Sequence, residues 1–253
     1  MTKPIALQLY TVREQLAHDF TGVMRRIADM GYVGVETAGF PEGVTITQAK
    51  ALFDELGLAV CAAHAPLPLG EQKEETLERL AALGCQRLVC AWLPPDEYQS
   101  VDSIRRLCDR VNEAADVAAA HGLTLLMHNH WFEFEPVEGK LPYHLWLEYL
   151  HPAVEFELDA YWVQVGGVEP LTAVADLGAR LTLLHVKDGP ADNTQSSMTA
   201  VGQGVMDYQT IIPAATYAEW MVVELDRCAT DMLTAVQQSY TYLIEKGLAH
   251  GTR

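Results

Sequence analysis

Short apolar runs alternate with longer stretches of helical period along the whole chain. There are eight of these runs, and several are rich in Val, Leu and Ile on consecutive positions, which is typical of strands that are buried on both faces. They are PIALQLY (4–10), GYVGVET (31–37), LAVCAAH (58–64), QRLVCAW (86–92), LTLLMHN (123–129), AVEFELD (153–159), LTLLHVKD (181–188) and EWMVVELD (219–226).

The stretches between the apolar runs predict helices with recognisable ends. The first begins after Asp19, a residue type that caps helix N-termini, and stops at Gly31. The next three stop at Gly57, Gly84 and Gly122, as expected where a helix ends in a left-handed residue.

A strand followed by a helix, repeated through about 250 residues, predicts a single (β/α)8 TIM barrel. We expect residues 1–253 to form one such domain, with long βα loops at 92–99, 131–140 and 189–207. The alternative is an open doubly wound sheet, which usually carries a glycine-rich phosphate loop after its first strand. Here the first strand runs into QLYTVREQ, which has no glycine, so the barrel is favoured.

The composition narrows the classes of function. The 253 residues are 49% hydrophobic and carry a formal net charge of −17, which disfavours nucleic acids and anionic membranes as partners. No apolar run is long enough to span a bilayer, and the start lacks the features of a signal peptide, so we expect a cytoplasmic protein. Five cysteines without a CxxC pair indicate buried free thiols.

Polar residues collect at the carboxyl ends of the predicted strands, where TIM barrels place their active sites. Taken alone, each such residue is as well explained by a helix cap or a structural histidine. Their convergence on one edge of the barrel is what predicts a site. In chain order they are Gln8 and Tyr10, Glu36, His64, Trp92, His128–Asn129–His130, Asp159, His185 and Lys187, and Glu224 and Asp226.

Histidine with several carboxylates suits one divalent metal ion, with Mn²⁺, Mg²⁺, Co²⁺, Fe²⁺ and Zn²⁺ all compatible. Such an ion can hold a hydroxyl and a neighbouring carbonyl of a sugar and act as a Lewis acid. It would acidify the adjacent C–H and stabilise the enediolate that follows. A nearby carboxylate or imidazole would carry the proton.

Four motifs resemble the xylose isomerase-like TIM barrels known as sugar phosphate isomerases/epimerases. They are HNHWFEF (128–134), ELDAYWV (157–163), LLHVKDG (183–189) and VVELD (222–226), and the resemblance extends from IALQLYTVRE through VGQGVMD (201–207). The superfamily also includes ketose 3-epimerases, inosose dehydratase, 3-dehydroshikimate dehydratase, endonuclease IV and lyases acting on 3-keto-glycosides. The resemblance is specific to the superfamily and not to one reaction.

The resemblance implies three metal ligands, Asp159, His185 and Glu224. Many members have a glutamate at the end of strand five as the fourth ligand, and here that position is His128. Either His128 takes this place, or Glu133 reaches back from the loop; we favour Glu133 because it keeps the donor set closer to that of the family.

The resemblance also bears on catalysis and substrate binding. Ketose epimerases exchange the proton through two metal-bound glutamates on opposite faces of the substrate, which makes Glu133 and Glu224 candidate catalytic residues. With His128 in the fourth ligand's place, removal of the proton from one face by His130 or by His128 itself is favoured. Candidate substrate contacts are Glu36, His64, His128, Trp162 and Lys187. The structural alternatives are a role for Glu36 in supporting the residues that bind substrate, core packing for Trp162, and an ion pair with Asp188 or Glu224 for Lys187.

The sequence therefore predicts a metal-dependent isomerase or epimerase of a small sugar or keto-sugar. The alternative is a lyase or dehydratase of a keto-sugar, keto-inositol or 3-keto-glycoside. The net charge opposes a DNA-repair endonuclease, and the retained ligands oppose a carbohydrate-binding protein without activity. With few basic residues near the strand ends, we expect an unphosphorylated substrate. Relatives are often dimers or tetramers, so the resemblance implies a homo-oligomer.

Overall fold

The computed structural model describes residues 2–252, in which eight parallel strands form a closed barrel. The barrel closes because β1 pairs with both β2 and β8. This confirms the predicted TIM barrel over the open sheet. The strands are β1 Lys3–Gln8, β2 Gly34–Thr37, β3 Ala59–His64, β4 Arg87–Cys90, β5 Thr124–His128, β6 Glu155–Asp159, β7 Leu181–Val186 and β8 Trp220–Val223, and a short β9, Ala249–His250, pairs with the start of β1.

Helices cover the outside of the barrel between successive strands. They are α1 Arg13–His18, α2 Phe20–Met30, α3 Ile46–Leu56, α4 Lys73–Leu83, α5 Val101–Ala120, α6 Pro142–Tyr149, α7 Ala160–Val165, α8 Pro170–Leu177, α9 Tyr208–Ala214 and α10 Met232–Glu245.

Local chemistry sets the predicted helix ends. The Asp19 side chain accepts a hydrogen bond from the backbone N–H of Gly22 and so caps α2. That helix ends at Gly31, whose φ of 111° is costly for any residue with a Cβ atom. The helix predicted to stop at Gly122 ends two residues earlier, because His121 serves as its C-cap.

Side chains two positions apart on each strand point into the barrel and build it in layers. A lower layer is formed by small and branched residues, which pack as a cluster of their own: Ala6, Cys61, Ala62, Val89, Leu126, Leu183 and Val222. Two positions further along β5, β7 and β8 stand His128, His185 and Glu224. The strand period therefore places the polar groups directly above an apolar floor.

Three irregular segments follow β4, β5 and β7, where long βα loops are predicted. Each has a short ordered feature: 3-10 turns at Pro95–Tyr98 and Phe132–Phe134, and an isolated bridge between Asp188 and Thr199. Since all the barrel strands are parallel, these loops lie at the same end of the barrel as the polar layer.

The remaining features agree with the composition. All five cysteines are free, and all but Cys228 are buried. Among residues 2–252, no helix has both the length and the apolar character that crossing a membrane requires.

Candidate active site

His185, at the end of β7, is the centre of the polar layer and is fully buried. Its Nε2 lies 2.7 Å from Oε2 of Glu36, and its Nδ1 lies 2.8 Å from Oε2 of Glu224. Burial alone would lower the pKa of His185, but the carboxylates of Glu157, Glu224 and Glu36 outweigh it and raise the pKa well above its usual value. This imidazole therefore links two groups of carboxylates, one deeper in the barrel and one nearer the mouth.

The deeper group contains two carboxylates that are completely buried, Glu36 and Glu157. His64 Nε2 lies 2.9 Å from Oε2 of Glu157 and 3.2 Å from Oε2 of Glu36, and Gln8 donates a hydrogen bond to Glu36. Burial would lower the pKa of His64, but the two carboxylates raise it to about 10. The buried negative charges are thus compensated by imidazolium groups, as buried carboxylates require.

Nearer the mouth, four buried residues each bring one potential ligand atom to a common point. One atom each from His128, Asp159, His185 and Glu224 lies within 4.8 Å of the others. Asp159 Oδ2 and His185 Nδ1 have charged neighbours but no well-aligned hydrogen bond among the described residues. Two carboxylates and two imidazoles are a donor set that fits a divalent ion of the borderline class, and His185 would give up its proton on binding the ion.

The protonation states of His128 and Glu224 also suit metal binding. Burial and the neighbouring histidines hold the pKa of His128 well below its usual value, so its imidazole is neutral and free to ligate. Although burial opposes it, the charges of Lys187 and His185 lower the pKa of Glu224, which keeps this carboxylate ionised.

Glu133, the favoured fourth ligand, is not brought into this group. It lies in the 3-10 turn after β5, where its Oε2 accepts a hydrogen bond of 2.8 Å from the backbone N–H of His130. It is 2% exposed, and burial raises its pKa to about 8, so a protonated carboxyl group prevails near neutral pH. The geometry thus favours His128 over Glu133 as the fourth ligand, because the short turn directs the Glu133 carboxyl group back to the chain.

Lys187 follows β7 and is almost fully buried, at 1% exposure. Its Nζ lies 2.9 Å from Oδ2 of Asp159, 2.9 Å from Oε2 of Glu224 and 3.2 Å from Oδ1 of Asp226. Three carboxylates outweigh the cost of burial and raise the pKa of Lys187 well above its usual value. Lys187 therefore pairs with Glu224, as one alternative anticipated, and Asp188 has a different role.

The side chain of Asp188 is fully buried, and within residues 2–252 its hydrogen bonds come only from backbone N–H groups. Its Oδ1 accepts from Gly189 and Met206, and its Oδ2 accepts from Gly202 and Gly204. A Cβ atom at Gly204 would overlap the Asp188 carboxylate, so a glycine is required there. This carboxylate fixes the tight loop predicted around Gly202 and Gly204.

Above the polar layer lies a cavity of about 380 Å³ that opens at the carboxyl end of the strands. Trp162 and Trp131 pack against each other with ring centroids 5.3 Å apart and contribute to its wall. His130 stacks on Phe132, with centroids 5.5 Å apart and ring planes at 2°. Trp162 therefore packs against Trp131 and also lines the cavity, so its position is compatible with both core packing and contact with a substrate.

The predicted substrate contacts are placed differently with respect to this cavity. His64, His128, Trp162 and Lys187 line it, together with His130 and Glu224. Glu36 does not reach it among the described residues, because its carboxylate is taken up by Gln8, His64 and His185 below. The alternative of a supporting role therefore fits the geometry of Glu36.

Glu157 is a member of the buried cluster to which the sequence analysis assigned no role. It stands two positions before Asp159 on β6, and the period of a strand turns both side chains inward. A glutamate in the middle of an inward-facing apolar strand was the sequence feature that could have indicated this role.

Asn129 also supports the site. Its side-chain oxygen accepts a hydrogen bond from the backbone N–H of Asp159, and so it fixes the end of β6.

The comparisons with known proteins agree with the barrel fold. The family model of the xylose isomerase-like TIM barrel matches residues 24–245. No curated protein sequence matches the chain. Two solved structures of sugar phosphate isomerases/epimerases from Parabacteroides distasonis are similar over 96% of this chain. The first match covers 94% of the solved chain, with 25% sequence identity and a TM-score of 0.82. The second covers 98% of the solved chain, with 26% sequence identity and a TM-score of 0.81.

More distant structures share the fold. A probable 3-DHS dehydratase from Bacillus anthracis gives a TM-score of 0.74 at 15% identity, over 95% of this chain and 98% of its own. An L-ribulose 3-epimerase gives a TM-score of 0.71 at 15% identity, over 98% of this chain and 95% of its own. The match to the family model covers most of the sequence, including all the strands that supply the candidate ligands. The chain belongs to the xylose isomerase-like TIM barrel family.

Proposed function

We propose that this protein is a divalent-metal-dependent isomerase or epimerase of a small sugar or keto-sugar, which acts through an enediolate. The observation that carries the proposal is the convergence of His128, Asp159, His185 and Glu224 beneath an open cavity. Family membership and the similarity to sugar phosphate isomerases/epimerases support it. Because the ligands belong to four consecutive strands of a rigid barrel, the site is preorganised.

When bound, the ion would polarise adjacent hydroxyl and carbonyl oxygens of the sugar as a Lewis acid. His130 would move the proton, since it lines the cavity and its Nδ1 has no hydrogen bond among the described residues. Burial and the charge of Lys187 lower the pKa of His130 to about 3, so the ring is neutral at physiological pH and has a free lone pair. Such a weak base requires a C–H bond that is strongly acidified.

Other side chains of the cavity would bind and shield the sugar. The Lys187 ammonium group would hold the carboxylates of Asp159 and Glu224 in position beside the sugar, through its ion pairs with both. Trp162 and Trp131 offer flat apolar faces to the C–H bonds of a sugar ring and exclude water from the reacting carbon.

A second candidate, elimination by a lyase or dehydratase, is favoured by one specific observation. Epimerisation with two carboxylates requires one on each face of the substrate, and here the end of β5 carries His128 while the Glu133 carboxyl group binds the backbone of His130. Proton removal from a single face is sufficient when a leaving group departs from the neighbouring carbon.

We also propose that the substrate is not phosphorylated. The two basic residues that line the cavity are already engaged: Lys187 binds three carboxylates, and Arg227 donates to the backbone oxygen of Thr194. The test compares the affinity of a ketose with that of its phosphate ester. Similar or weaker binding of the ester is expected, and a large preference for the ester would contradict the proposal.

The proposed chemistry is tested by proton exchange. Purified protein is incubated with a panel of ketoses and 3-keto-glycosides in D₂O, with Mn²⁺ or with a chelator, and deuterium next to the carbonyl is followed by NMR. We expect exchange only with the metal, and we expect loss of exchange in Asp159→Asn but not in the exposed control Asp192→Asn. A product with the same elemental composition as the substrate indicates isomerisation, and an unsaturated product that has lost water or an alcohol indicates elimination. Absence of both across the panel would refute the proposed function.

A further inference from the structure

A second cavity of about 270 Å³ lies beside the candidate active site. Tyr10 and Ala38 are in the walls of both cavities, so the two adjoin at these residues. The further walls of the second cavity are apolar, and they include Leu9, Leu16, Ala17, Phe40 and Pro41.

The two cavities differ in chemistry. The first contains His64, His128, Lys187 and Glu224, which suit a polyhydroxylated ligand. In the second, Arg13 is the charged residue of the wall, and its guanidinium group donates to the backbone oxygens of Tyr10 and Asp226. A ligand that filled both would therefore have one polar and one apolar part.

Tyr10 is held in place at the boundary although it is 44% exposed. The Arg13 guanidinium carbon lies 4.0 Å from the centroid of the Tyr10 ring, and the two hydrogen bonds of Arg13 fix that guanidinium group. An exposed but immobilised aromatic ring loses little conformational entropy when a ligand packs on it. Ala38 leaves a low boundary between the cavities because its side chain is a single methyl group.

We propose that the substrate is a sugar that carries an aromatic substituent, with the sugar in the first cavity and the aromatic group in the second. The proposal rests on the proposed function for the position of the sugar, and it adds the class of substituent. Because the two cavities adjoin at Tyr10 and Ala38, a group on the substrate itself is favoured over an unrelated partner or a second copy of the chain.

The test uses ligands that differ only in this substituent. Phenyl and methyl glucopyranosides, in both anomeric forms, lack a carbonyl group and so report binding without reaction. Their dissociation constants are measured by calorimetry on the Mn²⁺-treated wild-type protein and on two variants. Ala17→Trp fills the second cavity from its rim and leaves the wall of the first unchanged, since Ala17 lines only the second. His18→Trp adds the same side chain at the next exposed position of α1, outside both walls, and is the matched control.

We expect the phenyl glycoside to bind about tenfold more tightly than the methyl glycoside, or better, in the wild type and in His18→Trp. In Ala17→Trp this ratio should fall to about one, while the affinity for the methyl glycoside stays within a factor of about two. A ratio near one in the wild type, an unchanged ratio in Ala17→Trp, or no binding of either glycoside would overturn the inference.

Deuterium exchange into unsubstituted ketoses separates this inference from the proposed function. Metal-dependent exchange together with a phenyl-to-methyl ratio near one would contradict the aromatic subsite alone. A ratio that depends on Ala17, found without exchange into any carbonyl compound, would contradict the proposed chemistry alone.

Discussion

Replacing Asp188 by asparagine should destabilise the protein strongly, although the change conserves size. Each carboxylate oxygen of Asp188 accepts two backbone N–H groups, at distances from 2.8 to 3.1 Å, and the side chain is fully buried. Asparagine keeps one oxygen and turns an NH₂ group toward two N–H donors. Two hydrogen bonds to a charged group are lost, each worth about 1.5–3 kcal/mol, so we expect the free energy of unfolding to fall by roughly 3–6 kcal/mol.

The assay is urea unfolding followed by circular dichroism, with Asp192→Asn as the control. Asp192 lies in the same loop but is exposed, and its carboxylate accepts from the side chains of Asn193 and Ser196. The control should change the free energy of unfolding by no more than about 0.5 kcal/mol. A cost below about 1 kcal/mol for Asp188→Asn, or equal costs for the two variants, would refute the assigned role of this carboxylate.

Three further predictions concern the site itself. His128→Ala should weaken Mn²⁺ binding at least about 100-fold in calorimetry and Glu133→Ala less than about tenfold; the reverse order would restore Glu133 as the ligand. Because burial raises the pKa of Glu133 from 4.5 to about 8, its protonated form stabilises the fold fully below about pH 4.5, and this contribution is lost as the pH rises to about 8. Glu133→Gln should therefore remove up to about 1.4 kcal/mol per pH unit from the slope of unfolding free energy between pH 5 and 8, and an unchanged slope would contradict this. Lys187→Met should cost about 3–5 kcal/mol, because it removes the ammonium group that compensates the buried carboxylates of Asp159 and Glu224. Mn²⁺ should restore more stability to the variant than to the wild type in thermal melts, and equal effects would mean that the ion binds away from this lysine.

Much of the fold could be predicted because strand period and helix ends are local properties. Asp19 and Gly31 determine the ends of α2 through one side-chain hydrogen bond and one left-handed residue. Inward-facing strand ends converge wherever parallel strands close into a barrel, so Asp159, His185 and Glu224 were predicted to lie together, and the structure brings them together.

The remaining features of the site depend on the orientations of individual side chains, which a sequence pattern does not contain. The orientation of the Glu133 carboxyl group follows from the 3-10 turn that contains it, and a shift of one residue in that turn would point it elsewhere. The Glu36 carboxylate is held below the cavity by the side chains of Gln8 and His64, which come from other strands. A sequence pattern does not show such contacts between strands. Glu157 was overlooked because it sits inside a strand instead of at its end.

The central claim is that one divalent ion binds between β5, β6, β7 and β8. Anomalous diffraction from crystals loaded with Mn²⁺ tests it most directly. We predict one strong peak per chain, with ligand atoms from His128, Asp159, His185 and Glu224 within about 2.5 Å of it. A peak coordinated by Glu133 in place of His128 would correct the ligand set, and the absence of any peak at these four residues would contradict the account.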